Sequence, residues 1–304
     1  MPISVLIAGS GAMACLFAAR LSPHAEVTML GTWAEGLAAL QRHGVRLEAG
    51  GLETVHPVRV TNDPSDVRGA LFALVLVKSW QTKRTAGMLA ECLAADGVAL
   101  TLQNGLGNLE ALRDALGAER AALGVTTTGA TLLGPGRVRA GGSGPIHVAP
   151  HPRLEPYLPA LRQAGFTVEP EPDVESLLWG KLAVNAGINP LTALLRVENG
   201  VLLERDEARQ VLREAAREAA VVAGGLGIRL PYLEAAAAAE DVARRTAANR
   251  SSMLQDVLRG APTEIDAING AIAGAGERVG VPTPVNRTLW RLVRAAVAVG
   301  EARR

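Results

Sequence analysis

Aromatic side chains are scarce: three Phe, two Tyr and four Trp make up 3% of the 304 residues. So few rings leave no platform on which successive bases of a single strand can stack. Charge of one sign is missing too, since 31 Lys and Arg face 30 Asp and Glu. That balance excludes the basic surplus that neutralises phosphates along a nucleic acid, and no dense run of like charge is present to grip a membrane. The only cysteines, Cys15 and Cys92, lack the CxxC spacing of a metal site and read as reduced core residues, so no metal is expected. No apolar run reaches spanning length without a charge, a proline or a glycine cluster. The start, "MPISVLIAGSGAM", lacks a basic n-region and soon breaks into glycines, which argues against a signal peptide and for the cytoplasm. The expected partners are a small molecule and copies of the chain itself, as a homodimer.

What is present is a length beyond the usual single domain and 48% hydrophobic residues, so two domains are expected. Short apolar β-like runs ("ISVLIAG", "EVTML", "LFALVLVK", "VALTLQNG") alternate with helical patterns from Ala12, from Thr32 and through 81–94. This alternation predicts an α/β domain of Rossmann type, doubly wound around a mainly parallel sheet. A stretch rich in Thr, Gly and β-branched residues follows, then a helix-strand pair ending in "VEPEP". Beyond it every segment carries helical spacing, several opening on Pro and closing near Gly, which predicts an all-α second domain. The boundaries read as 1–170 for dinucleotide binding and 171–304 for a helical substrate and catalytic domain.

"VLIAGSGAMA" places Gly9, Gly11 and Ala14 in the pattern G-x-G-x-x-G/A, directly after a strand and opening a helix. In that context the first glycine permits the tight turn and the second lets backbone approach a pyrophosphate; the third small residue allows close packing. Gly9, Ser10, Gly11, Ala12 and Met13 are therefore candidate cofactor contacts. The bland alternative is a plain strand-to-helix turn. At the second strand's tip, "GTW" (31–33) offers neither the acid expected for a ribose hydroxyl nor an Arg for a 2′-phosphate. Thr32 can hydrogen-bond either form of the ribose. The absence of an acid leans towards NADP as NADPH, with NAD not excluded.

Lysine occurs only at 78, 83 and 181. In "GKLAVNAGINPLTALLRVENG" (180–200), Lys181, Asn185 and Asn189 step by four inside an otherwise apolar run. Each step drifts only about 40° around a helix, so the three lie on one stripe. Burying an amide costs about 1–3 kcal/mol unless it finds a partner, so this polarity needs a purpose. Asn189 precedes Pro190, which predicts a kink or a fresh helix start with Asn189 as cap. The stripe is expected to open the helical domain and to face the cleft above the strand ends. A polar seam between domains, with Lys181 paired to a carboxylate, is the competing explanation. Asn104 in "TLQNGLGN" would sit at the end of a strand, but an ordinary Asn-Gly turn explains it as well. Ser252 and Glu264 in "SSMLQDVLRGAPTEIDAING" have plain explanations as an N-cap and a first-turn carboxylate.

Together "AGSGAM", "VKSWQT", "LQNGLGN", "GATLLGPGRV", "WGKLAVNAGINPLTAL", "ENG", "SSMLQDVLRGAPTEIDAINGAI" and "GVPTPVN" resemble the ketopantoate reductase (2-dehydropantoate 2-reductase) family over almost the whole chain. The resemblance implies reduction of the 2-oxo group of ketopantoate to (R)-pantoate with NADPH, on the way to pantothenate and coenzyme A. It implies that Lys181 and Glu264 are catalytic and that Asn185, Asn189, Asn199 and Ser252 bind substrate. It implies further that Lys78 and Asn104 contact cofactor. Two departures stand out: Ala14 replaces the third glycine, and "GTW" stands where the family usually has an Arg. The alternatives are a reductase of another branched 2-oxo acid and a nicotinamide-nucleotide sensor without turnover.

Overall fold

The computed structural model describes residues 3–302. By its internal contacts the chain divides into two compact units, Met1–Gln103 with Asn108–Val174, and Asn104–Gly107 with Glu175–Arg304.

The first unit runs β1 (Ile3–Ala8), α1 (Ala12–Leu21), β2 (Ala25–Leu30), α2 (Ala34–His43), β3 (Val45–Ala49), β4 (Leu52–His56) and β5 (Arg59–Thr61). It continues through β6 (Ala70–Val75), α3 (Thr82–Cys92), β7 (Leu93–Thr101), α4 (Asn108–Leu116), β8 (Ala121–Thr126), β9 (Ala130–Gly134) and β10 (Arg137–Ala140). β11 (Ile146–Val148), α5 (Leu158–Gln163) and β12 (Val168–Pro170) close it. Eight strands form one sheet in the order β12-β11-β8-β7-β6-β1-β2-β5. All its pairings are parallel except β11 with β8, as the alternation of strands and helices predicts.

Period-two burial sorts each central strand between two cores. Val5 and Ile7 of β1, with Phe72 and Leu74 of β6, join α1 and α5 on one face. Leu6, Ala73 and Val75 join Leu89 of α3 and Leu112 of α4 on the other. All three Phe lie on the α1 side, where Phe17 stacks on Phe166 at 4.2 Å and Phe72 on Tyr157 at 4.6 Å.

A second sheet, β4-β3-β10-β9, was not legible in the sequence. It packs on the outer side of α1, which touches β3, β9 and β10. This explains why seven of the ten residues of α1 are buried. A helix on a solvated surface would bury only one stripe. α2 begins at Ala34, after Trp33, rather than at Thr32.

The second unit is helical: α6 (Val174–Leu195), α7 (Asp206–Gly225), α8 (Ala235–Arg245), α9 (Ser252–Arg259), α10 (Ala271–Val279) and α11 (Pro284–Ala302). α6 feeds both cores of the unit, giving Trp179, Leu182 and Ala186 to one and Val184, Ile188 and Leu191 to the other. Its glycines permit this depth. A methyl group on Gly187 would lie 2.7 Å from the Leu212 carbonyl oxygen of α7.

The fresh helix start expected at Pro190, with Asn189 as its cap, does not occur: α6 runs through Pro190 without interruption. Pro190 has no N–H to give to the Ala186 carbonyl four residues earlier. The Asn269 amide donates to that oxygen instead, at 3.0 Å. Among the described residues no helix is long and apolar enough to cross a membrane, and no group of three His, Cys, Asp or Glu is placed to hold a metal ion.

Candidate active site

In the first unit the strand order reverses at β1, which has β2 on one side and β6 on the other. Such a switch point, at the carboxyl ends of the strands, is where doubly wound sheets bind ligands. Gly9 follows β1 there, with φ +130° and its N–H donating to the Leu30 carbonyl at 2.8 Å. A Cβ on Gly9 would stand 3.1 Å from the Leu76 carbonyl oxygen, so conformation and space both require glycine. Gly11 differs: a Cβ there would meet nothing within 4 Å, which leaves open room beside the start of α1. That helix has no side-chain cap at Gly11 and no acid in its first turn. Uncapped amides and a positive helix end suit an anionic pyrophosphate, and the neighbouring backbone is that of buried Ser10 and half-buried Ala12 and Met13. Ala14 is wholly buried, as a position in close helix–sheet contact requires.

Thr32 is exposed just past β2, and the Trp33 ring folds over Gly36, where any Cβ would collide with it. Lys78 is half-buried before the short turn Ser79–Gln81 and donates its N–H to Gln81 Oε1 at 3.3 Å. A buried chain of polar groups holds this loop. Gln103 Nε2 donates to the Val77 carbonyl at 2.9 Å and to Thr82 Oγ1 at 2.8 Å, and Thr82 Oγ1 donates to Asn108 Oδ1 at 2.7 Å.

In the second unit Lys181, Asn185 and Asn189 follow one another along α6, the first two half-buried and the third buried. Burial pushes the Lys181 ammonium down from 10.5 to about 8, against the opposing pull of the Glu264 carboxylate. Glu264 is itself buried and accepts from Asn104 Nδ2 at 3.4 Å. The segment Asn104–Gly107 reaches it by close backbone contact. Leu106 N–H donates to the Ala267 carbonyl at 2.9 Å, and a Cβ on Gly105, whose φ is +83°, would lie 2.5 Å from that same oxygen. Lys181, Glu264 and Asn104 are therefore brought together, although spacing alone left Glu264 and Asn104 with ordinary explanations. Glu264 does not occupy a first α-helical turn; it precedes a π-helical turn, Asp266–Gly270, that leads into α10.

Ser252 begins α9, but the N-cap is Ser251, whose Oγ accepts from Leu254 N–H at 3.0 Å. Ser251 Oγ also lies 2.7 Å from Thr192 Oγ1, and Thr192 donates to the Ile188 carbonyl at 2.9 Å. The start of α9 is thus fastened to α6 one turn from Asn189. Asn199 is buried, with Nδ2 donating to Thr246 Oγ1 at 2.9 Å and Oδ1 unpaired. Sequence reasoning missed the inner network in which Asn269 Nδ2 donates to Asn286 Oδ1 at 2.9 Å and Asn286 Nδ2 donates to Glu218 Oε2 at 2.8 Å. Only the presence of Asn in apolar helices hints at it.

Two family models match this chain: "Ketopantoate reductase PanE/ApbA" over residues 5–153 and "Ketopantoate reductase PanE/ApbA C terminal" over 173–297. The chain belongs to the ketopantoate reductase family. A 2-dehydropantoate 2-reductase of Archaeoglobus fulgidus is 38% identical over 300 residues, covering 95% of this chain and 96% of its own. The crystal structure of a PanE/ApbA family ketopantoate reductase from Ralstonia eutropha JMP134 superposes with a TM-score of 0.92 at 32% identity, over 98% of this chain and all of the other. D-mandelate dehydrogenase, solved with NADH and anilino(oxo)acetate, gives a TM-score of 0.91 at 27% identity, over 98% of this chain and 99% of its own. Membership in the ketopantoate reductases makes the fold that of an oxidoreductase built for a nicotinamide cofactor.

Proposed function

We propose that this chain reduces 2-dehydropantoate to (R)-pantoate, with NADPH preferred over NADH. The observation that carries the reading is Lys181, an ammonium lowered to about 8 by burial, next to Glu264 and its partner Asn104. A bound nicotinamide supplies the hydride. As hydride reaches the carbonyl carbon, the π pair of the C=O bond moves onto oxygen, and the Lys181 ammonium stabilises that charge and gives oxygen its proton. Lys181 is left as the neutral amine, a state that burial makes less costly than it is for an exposed lysine. Glu264 keeps the ammonium from losing its proton too early. Asn185, Asn189, Asn199 and Ser252 offer neutral donors to the substrate carboxylate and hydroxyl, so no second cation competes with Lys181.

In the first unit Gly9 to Met13 hold the pyrophosphate, Thr32 meets the adenosine ribose and Lys78 contacts the cofactor; Asn104, which belongs to the second unit, contacts it as well. The NADPH preference rests on the absence of an acid at Leu30, Gly31 and Thr32. The likeness to D-mandelate dehydrogenase favours one other reading, a reductase of another 2-oxo acid. Absorbance at 340 nm with ketopantoate, branched 2-oxo acids and an aryl 2-oxo acid separates them. We expect the highest kcat/KM with ketopantoate. A tenfold higher value with any other acid, about 1.4 kcal/mol, would replace the substrate assignment, and cofactor binding without turnover of any acid would overturn the enzyme.

A further inference from the structure

The middle of α6 holds a contradiction that the rest of the unit resolves. The helix carries Lys181, Asn185 and Asn189 on one stripe, yet it contains Pro190, which removes the backbone bond that would fix the turn 186–190. A proline in a helix interior ordinarily kinks it at this place, because the carbonyl four residues back loses its donor. Here the Ala186 oxygen receives Asn269 Nδ2 at 3.0 Å. Asn269 is completely buried and is held in turn by Asn286 Oδ1 at 2.9 Å. Asn286 is anchored to α7 through the Ala215 carbonyl at 3.0 Å and Glu218 at 2.8 Å. Glu218 also accepts the backbone N–H groups of Val285 and Asn286, at 2.8 and 2.9 Å, so the start of α11 is fixed with it.

The donor does not come from an arbitrary neighbour. Asn269 lies five residues after Glu264, in the π-helical turn whose Ala267 carbonyl holds Leu106 and hence the segment bearing Asn104. The i+5 bond from Gly270 N–H to the Ile265 carbonyl, at 3.0 Å, marks the widened turn. π-Turns of this kind are rare in helices and gather at functional sites. One side chain thus links the turn following Glu264 to the turn of α6 between Asn185 and Asn189.

We infer that Asn269 is a positioning residue: it supplies the hydrogen bond that Pro190 withholds and so sets the register of the Lys181–Asn185–Asn189 stripe against Glu264. Its side chain is completely buried and donates only to Ala186 and Asn286, so it acts through α6. The inference rests on the reductase reading for its effect on turnover, but not for its effect on the helix. If it holds, restoring a backbone N–H at position 190 must make Asn269 dispensable. Four proteins test this: wild type, Asn269→Ala, Pro190→Ala and the double variant. Each is measured for melting temperature, for the dissociation constant of NADPH by fluorescence, and for kcat and KM with ketopantoate.

Asn269→Ala is expected to lower kcat at least tenfold, about 1.4 kcal/mol in the barrier. NADPH affinity should stay within about twofold, because the glycine loop lies in the other unit. Pro190→Ala alone should stay within about threefold of wild type, and the double variant should regain most of the kcat and melting temperature lost by Asn269→Ala. Losses that simply add in both readouts would overturn the inference. Rescue of the melting temperature without any effect of Asn269→Ala on kcat would overturn the positioning role. A wild type that turns over no 2-oxo acid would overturn the reductase reading and with it that role, while coupling in the melts still decides the repair of the helix. If Asn269→Ala proves too unstable to assay, Asn269→Asp, which sets an acceptor against the Ala186 oxygen, must lose kcat and regain less of it with Pro190→Ala.

Discussion

Raising the pH from 7 to 9 removes the proton on which the chemistry of Lys181 depends, and the size of the effect follows from its surroundings. With its pKa at about 8, against 10.5 for an ordinary lysine, the side chain is about 90% protonated at pH 7 and about 10% at pH 9. An unperturbed lysine would stay more than about 95% protonated at pH 9. If the ammonium form is the acid, kcat/KM for the 2-oxo acid falls roughly tenfold between pH 7 and pH 9, approaching a slope of about −1, since this ratio reports the free enzyme. The assay is initial-rate oxidation of NADPH, which is stable at alkaline pH, across pH 6 to 10. A profile flat to pH 9 would refute the assignment of the alkaline limb to Lys181, as would an unchanged limb in a Lys181→Arg variant with residual activity. The same group links stability to pH with a definite sign. Its folded pKa is depressed, so between about 8 and 10.5 the unfolded chain binds more protons and this contribution to stability rises with pH. It is lost as pH falls through about 8, where burying the ammonium costs up to about 3 kcal/mol.

Three further expectations concern residues away from Lys181. Thr32→Asp should shift the kcat/KM ratio towards NADH, because a carboxylate past β2 repels a 2′-phosphate and accepts from a ribose hydroxyl; an unchanged ratio would contradict the role given to Thr32. Gly9→Ala should lower stability by about 1–3 kcal/mol and weaken NADPH binding, since its φ of +130° and the Leu76 carbonyl 3.1 Å from the new Cβ both oppose a side chain; a normal melt would contradict that geometry. Asn199→Ala should depress the melting temperature by a few degrees through loss of its bond to Thr246, about 1 kcal/mol, and raise KM for the 2-oxo acid; an unchanged melt would remove the structural part.

The parts of the fold that were legible in the sequence are those where one local pattern decides the outcome. β1 and α1 follow from an apolar run, two glycines and a small residue, and the mainly parallel sheet follows from the alternation around them. The β3–β4 hairpin was missed because β4 is solvent-exposed along nearly its whole length, including Leu52 and Val55, and so carries no burial pattern to read. At Pro190 the local rule is sound but is overridden by a side chain 79 positions away, Asn269, and no spacing within the helix reveals that donor. The N-cap of α9 was one residue off because Ser251 and Ser252 are equivalent in sequence; Thr192 distinguishes them only in space. The stripe of Lys181, Asn185 and Asn189 was readable from a period of four. That Glu264 and Asn104 lie together was not, because the contact joins residues 160 positions apart.

The most direct measurement is kcat for Lys181→Ala, taken together with its melting temperature and its dissociation constant for NADPH. Loss of a general acid lowers kcat by about 10² to 10⁴, whereas loss of a purely structural ion pair lowers activity only through the folded protein lost. The melting temperature of Lys181→Ala should stay within a few degrees of wild type, because the removed ammonium was costly to bury, and NADPH affinity within about twofold. If Lys181 is the general acid, kcat falls at least about 100-fold. A well-folded variant that keeps more than about a tenth of wild-type kcat would contradict that role.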